Sequence, residues 1–430
     1  MQPKPGDSVR IITKDSAYEG LLMPRPKILE KGIAVIKLDN GYNIGIEEGK
    51  IQRIELLEEY KPKRLVPEKI IPEKGLPTVA VLSFGGTISA KVDYRTGGTY
   101  ADYTAQDFVQ MMPELKKVAN IRAEKVKGMM SEDFTPKDWK DMANSIAKEL
   151  NTDTSGVVVS QGTDTLHFST AAMSFMLRNL TKPVIFTAAQ RSIDRGSSDA
   201  FMNLFCAINA AAKFDGAVVA TCLHSSIDDS NCMLIRGSKV RKMHTSRRDA
   251  FRPMNESPLA SIDIKGNIDV LNPDYPKLQP GKVEVDDKFE EKTALIMVYP
   301  GMEPKVIDFY VKEGYKGIVL SATALGHVPT DTSKKNILPN IKHALDSGLP
   351  VVVSSQSLYG RVHPHVYTNL RKLSVELSCI FVEDMLPEVA YVKLGWVLGH
   401  TNDPKKIKEM MLKNYAGEMT LRSDKKSFLY

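Results

Sequence analysis

Hydrophobic and polar positions follow two different rhythms along this chain. In the first ~60 residues short runs alternate apolar and polar side chains, as in "GDSVRIITKDSAYEGLLMPRP" and "GIAVIKLDNGYNIGIEEGKIQRIELLE". Glycines and the turn dipeptide Asn40-Gly41 punctuate them. A period of two around an Asn-Gly turn predicts antiparallel hairpins, and so a small N-terminal SH3-like β-barrel over 1–60. "EYKPKRLVPEKIIPEKGLP" follows with four prolines and many charges. Such a stretch cannot bury a core, so 61–76 is expected to be an extended linker.

From residue 77 the rhythm changes. Compact runs rich in Val, Ile and Ala recur: "TVAVLSF", "GVVVS", "PVIFTAA", "GAVVATC", "TALIMVY", "GIVLSA", "PVVVSS" and "CIFVED". Near-continuous apolar runs are what parallel strands look like when helices cover both faces of the sheet. Between most of them lie helical patterns such as "TPKDWKDMANSIAKEL", "LHFSTAAMSFMLRNL" and "SSDAFMNLFCAINAAAKF". Alternating strand and helix predicts an α/β fold with open, mostly parallel sheets. The alternation lapses in the proline-rich stretch "RPMNESPLASIDIKGNIDVLNPDYPKLQPGKVEVDDKFEE". Two α/β domains are therefore expected, at 77–255 and 291–400, joined by 256–290 and followed by a charged tail over 401–430.

Bulk properties change this picture little. A length of 430 residues suits two or three domains. The net charge of +6, from 58 basic against 52 acidic residues, is a mild bias that does not by itself imply a nucleic-acid partner. No apolar stretch approaches the roughly 20 residues of a bilayer span, and Met1-Gln2-Pro3-Lys4-Pro5 has no apolar core of a signal peptide. The four cysteines, Cys206, Cys222, Cys232 and Cys379, form no Cys-x-x-Cys pair. That favours a reducing compartment, and the expected location is cytoplasmic.

In open α/β sheets ligands sit beyond the carboxyl ends of the strands. There the chain reads "GGT" (85–87), "QGTDT" (161–165), "AAQRS" (188–192), "SATALGH" (321–327) and "SSQSLYGR" (354–361). Taken singly, each Gly-Thr turn is also an ordinary helix start with a threonine cap. The pair is more telling, because both turns follow apolar strands and should open on one edge of a sheet. A threonine hydroxyl becomes a nucleophile when a neighbouring base takes its proton, and its stiff χ1 fixes the direction of the oxygen. Backbone N–H groups at glycine turns can hold a developing oxyanion. Asp164 beside Thr163 can bind an ammonium group or orient a lysine.

"FGGTIS" together with "GTDTL" resembles the signature segments of the L-asparaginase family, and further matches extend over roughly residues 77–400. "SED" (131–133) is similar to the family's substrate-binding serine segment, "RGSKVRKMHT" (236–245) to the segment with its catalytic lysine, and "DMLPEVAYVKLGWVLG" (384–399) to its C-terminal helix. The resemblance implies that Thr87 attacks the side-chain amide of asparagine or glutamine, giving an acyl-enzyme and ammonia. It makes Thr163, Asp164 and Lys242 a second triad that relays protons and holds substrate. Ser131 and Asp164 would bind the α-carboxylate and α-ammonium. Lys242 lies in a basic run with Arg236, Lys239, Arg241, Arg247 and Arg248, which by composition alone reads as a solvated or anion-binding surface. The family also uses a tyrosine from a loop after the nucleophile. "KVDYRTGGTYADYT" offers Tyr94, Tyr100 and Tyr103, and the motif does not choose among them.

The N-terminal segment, "TAAQRSIDRGSSDAFMNL" (187–204) and "LYGRVHPHVYTNLRKL" (358–373) resemble the asparaginase-like subunits of archaeal tRNA-dependent amidotransferases. That resemblance implies an ammonia source for a kinase-transamidase partner subunit that converts Glu-tRNA(Gln) to Gln-tRNA(Gln), within a heterotetramer built on a homodimer. ATP and magnesium would belong to the partner, and no cofactor or metal is expected here, where no G-x-x-x-x-G-K-[ST] loop occurs. The alternative is a stand-alone cytoplasmic L-asparaginase with an accessory domain. Ser197 and Ser198 are expected to be helix caps, and His363 and His365 lack nearby ligands for a metal site.

Overall fold

The computed structural model describes residues 3–24, 32–60, 72–86, 88, 90–92, 99–101, 112–193 and 197–429. The N-terminal part carries strands β1 (Ser8–Thr13), β2 (Ala17–Met23), β3 (Ile33–Lys37), β4 (Asn43–Glu47) and β5 (Ile51–Glu58). They pair antiparallel in the order β4-β3-β2-β1-β5. Alternation along β1 buries Val9 and Ile11 with Ile36 and Ile46, while Arg10 faces outward against Glu19. This is the expected small β domain, in the form of a sheet. No pairing that would close it into a barrel joins β4 to β5 among the described residues. Residues 61–71 of the expected linker lie outside them.

The next unit holds β6 (Thr78–Ser83), β7 (Asn120–Lys125), β8 (Thr154–Ser160), β9 (Val184–Thr187), β10 (Val219–His224) and β11 (Asn231–Arg236). It continues with β12 (Val240–Lys242), β13 (Phe251–Pro253), β14 (Ala260–Asp263) and β15 (Ile268–Val270). Its main sheet has the order β15-β14-β11-β10-β9-β8-β6-β7, parallel from β7 to β10 and antiparallel beyond. Three helices cover it: α1 (Pro136–Leu150), α2 (Leu166–Met176) and α3 (Ala200–Lys213). Ala80, Leu82, Val157 and Val159 share a core with α1 and α2, whereas Val79, Val81 and Val158 share one with α3. Burial on both faces is what the continuous apolar runs require. Thr135 and Asp138 form a capping box at the start of α1, with Pro136 at the first helical position.

The second α/β unit is a parallel sheet of β16 (Thr293–Met297), β17 (Gly317–Ala322), β18 (Val351–Ser355) and β19 (Ile380–Phe381), in that order. Its helices include α4 (Lys305–Lys312), α5 (Leu338–Asp346) and α6 (Pro387–Leu398), and α7 (Pro404–Leu412) follows in the tail. Helix α6 packs on α2, where the Phe175 and Trp396 rings stack with centroids 5.9 Å apart. The helical pattern read to Leu180 ends at Met176, because Leu177–Arg178 is drawn into an antiparallel pair with Glu284–Val285. A tertiary strand contact overrides local helix propensity there.

Candidate active site

Strands β6 and β8 run level: Leu82 lies beside Val159 and Ser83 beside Ser160. Their following turns therefore meet on the carboxyl edge of the sheet. They meet through backbone. Gly85 and Gly86 have φ of +99° and +81°, and a Cβ on Gly86 would lie 2.2 Å from the nitrogen of Gly162. Glycine is required on steric and conformational grounds. Gly162 in turn faces Ser131, whose Oγ would lie 2.8 Å from an added Cβ.

On this frame Lys242, the last residue of β12, donates from Nζ to Thr163 Oγ1 at 2.8 Å and to Asp164 Oδ1 at 2.6 Å. The Lys242 side chain is 10% exposed and that of Asp164 63%, so the lysine is enclosed while the carboxylate faces the opening. Ser131, at the head of a short 3-10 turn, is buried. Its Oγ accepts from the Asp164 N–H at 3.2 Å, and its carbonyl accepts from Thr165 Oγ1 at 2.5 Å. A hydroxyl that accepts from the backbone keeps its own proton for another acceptor. The structure thus brings together Ser131, Thr163, Asp164 and Lys242. Thr87, Tyr94 and Tyr103 lie outside the described residues, as does the side chain of Tyr100. Chemically, an enclosed ammonium touching a hydroxyl and an open carboxylate can move a proton and fix a charged ligand.

Before Lys242 the basic run is not the solvated surface its composition suggests, whereas residues 243–247 just after it are exposed. Arg236 is buried against Glu256, Lys239 against Asp384, and Arg241 holds Glu388 at 2.6 Å. Burial pulls the Lys239 ammonium below the usual lysine range, with Asp384 opposing the shift. The reason for the difference is pairing with acids far along the chain.

Sequence reasoning missed His167, in the first turn of α2. Its imidazole is 7% exposed, and Nδ1 has no hydrogen-bond partner among the described residues. Burial, helped by the charges of Arg241 and Lys242, lowers its pKa from 6.5 to about 3. The signal available was a histidine directly after "GTDTL".

In the 187–204 segment the N-cap position of α3 is held by Asp199 rather than by a serine, and Ser198 just before it accepts at Oγ from Ala200 N–H at 3.2 Å. Ser197 sits instead at φ +58° outside the helix. Asp199 accepts from the N–H groups of Gln190 and Arg191 and closes this loop. Cys206, Cys222 and Cys232 are buried free thiols in the core around α3. Among the described residues no three His, Cys, Asp or Glu side chains gather as metal ligands, and no helix is long and apolar enough to cross a membrane.

Three family models match the chain: "Asparaginase, N-terminal" over 78–275, "Glutaminase/Asparaginase C-terminal domain" over 292–411, and "GatD N-terminal domain" over 3–57. Among solved structures, the L-asparaginase of Thermococcus kodakarensis aligns with a TM-score of 0.70 and 29% identity, covering 80% of this chain and 99% of that one. L-asparaginase I from Vibrio cholerae aligns with the same TM-score at 27% identity, over 81% and 100%. The fold is that of the asparaginase family, to which this chain belongs. Within that family it stands with the glutamyl-tRNA(Gln) amidotransferase D subunits. That of Pyrococcus furiosus is 50% identical over 99% of this chain and 97% of its own length. That of Methanothermobacter thermautotrophicus is 45% identical over 97% and 94%.

Proposed function

We propose that this chain is the ammonia-producing subunit of a tRNA-dependent amidotransferase that converts Glu-tRNA(Gln) to Gln-tRNA(Gln). One observation carries the chemistry: Lys242 Nζ bridges Thr163 Oγ1 and Asp164 Oδ1 beside the turn that leads into Thr87. In this reading Thr87 Oγ bonds to the side-chain amide carbon of asparagine or glutamine. The C–N bond then breaks as nitrogen takes a proton, so ammonia leaves and an ester remains on the threonine. Water cleaves the ester. Lys242 and Thr163 carry the protons, Asp164 takes the substrate's α-ammonium, and Ser131 donates to its α-carboxylate.

The restriction to a subunit role is supported by relatives of matching length that carry the same N-terminal segment. A kinase-transamidase partner, supplying ATP and magnesium chemistry, would consume the ammonia on activated Glu-tRNA(Gln). The proposed assembly is a homodimer of this chain within a heterotetramer, in the cytoplasm. The test is ammonia release from asparagine, measured first with this chain and then with the partner subunit and Glu-tRNA(Gln) added. Slow release that rises on addition is expected. A full rate that ignores both additions would favour the stand-alone L-asparaginase reading, which the two asparaginase structures keep in view.

A further inference from the structure

Thr165 stands where α2 begins, as its N-cap residue, yet its side chain caps nothing in that helix. Threonine is favoured at such a position because its oxygen accepts from N–H groups of the first turn. Here the Thr165 carbonyl opens the helix instead, accepting from the N–H groups of Phe168 and Ser169 at 3.0 and 3.2 Å. The hydroxyl turns away and donates to the carbonyl of Ser131 at 2.5 Å, although the two residues are 34 apart in the chain. That distance is at the short end for an O–H···O bond.

The local turn holds Ser131 only lightly. It spans three residues, has no side-chain cap, and the Phe134 N–H reaches the Ser131 carbonyl at 3.3 Å. Firmer restraint comes from the turn that ends at Thr165. Gly162 packs closely on Ser131, and the Asp164 N–H donates to Ser131 Oγ at 3.2 Å. Thr163, between them, meets Lys242. One short stretch therefore grips Ser131 at hydroxyl and carbonyl while it presents Thr163 and Asp164 to the lysine. We propose that Thr165 is a positioning residue: it fixes the Ser131 carbonyl, and with it the direction in which the Ser131 hydroxyl meets the substrate's α-carboxylate. The inference rests on the carboxylate-binding role proposed for Ser131.

Four full-length variants test it in asparagine hydrolysis: Thr165→Val, which keeps the shape and removes the donor, Thr165→Ser, which keeps the donor, Ser131→Ala, and Ser131→Ala with Thr165→Val. Thr165→Val is expected to raise KM roughly tenfold, the scale of one lost hydrogen bond. Its kcat should change little, as when binding common to ground and transition states is removed. Thr165→Ser should restore most of the parent KM. In the Ser131→Ala background Thr165→Val should add nothing, because the two residues act as one unit. A plain helix cap would instead lower the melting temperature on Thr165→Val and leave KM alone. Where Ser131→Ala raises KM, the proposal is overturned by an unchanged KM in Thr165→Val, by no recovery in Thr165→Ser, or by a full further loss in the double variant. Amide hydrogen exchange, read by mass spectrometry, separates this from failure of the functional reading. If the parent chain releases no ammonia, or Ser131→Ala leaves KM unchanged, that reading falls. Faster exchange across 131–134 in Thr165→Val than in the parent and Thr165→Ser then still supports the positioning role, and equal exchange in all three overturns it.

Discussion

Lys242 touches both Thr163 and Asp164, so its loss should remove proton transfer and the anchor of the carboxylate together. Lys242→Met is expected to lower kcat for asparagine hydrolysis by about 10³-fold, within the range for lost acid–base groups, with an unchanged circular dichroism spectrum. Gly86→Ala acts through the frame instead. Its Cβ would collide with the Gly162 nitrogen at a left-handed φ, and a loss of about 2–4 kcal/mol should appear in urea unfolding. His167 gives a pH signature. Its folded pKa is about 3 against 6.5 for the unfolded chain, so between those values the unfolded state binds a proton that the folded state refuses. Stability therefore falls as pH drops below 6.5, by about 2 kcal/mol at pH 5 from this group. His167→Phe should flatten that part of a stability-versus-pH curve. At this scale the sequence was legible where chemistry is local: the glycine turns and the Thr163-Asp164 pair are contiguous in the chain. His167 was not, because nothing adjacent to it reports that it is buried near Arg241 and Lys242.

Among elements, α6 and the tail after α7 lock together through a pair hidden from solvent. Lys393 Nζ donates to Glu418 Oε1 at 2.6 Å and to the carbonyls of Met411 and Lys413, with both charged side chains at 0% exposure. Glu418→Ala strands a buried ammonium and is expected to cost about 3–5 kcal/mol in chemical denaturation. A joint Lys393→Met, Glu418→Met change should cost less. The strands were readable from the sequence because burial on both faces leaves unbroken apolar runs, as in β8 and β9. The fate of residues 236–248 was not readable. For Arg236, Lys239 and Arg241 the acids are Glu256, Asp384 and Glu388, 20 to 147 residues away, and charge count along a segment says nothing about such partners.

For the whole molecule, about four-fifths of the chain accounts for an entire asparaginase, and the remainder includes a sheet with its own small core. Deleting residues 1–60 is expected to leave asparagine hydrolysis intact while abolishing its stimulation by partner and Glu-tRNA(Gln), measured as ammonia release with and without both. The order of synthesis adds a further consequence. Thr163, Asp164 and Lys242 are all made before residue 250, but the acids that anchor Lys239 and Arg241 come 145 and 147 residues after those two cations. At translation speeds of 5–20 residues per second that span takes roughly 7–30 s. A nascent chain halted before Asp384 should therefore release no ammonia, which stalled ribosome complexes would reveal. On this expectation the site stays silent until the polypeptide is nearly whole.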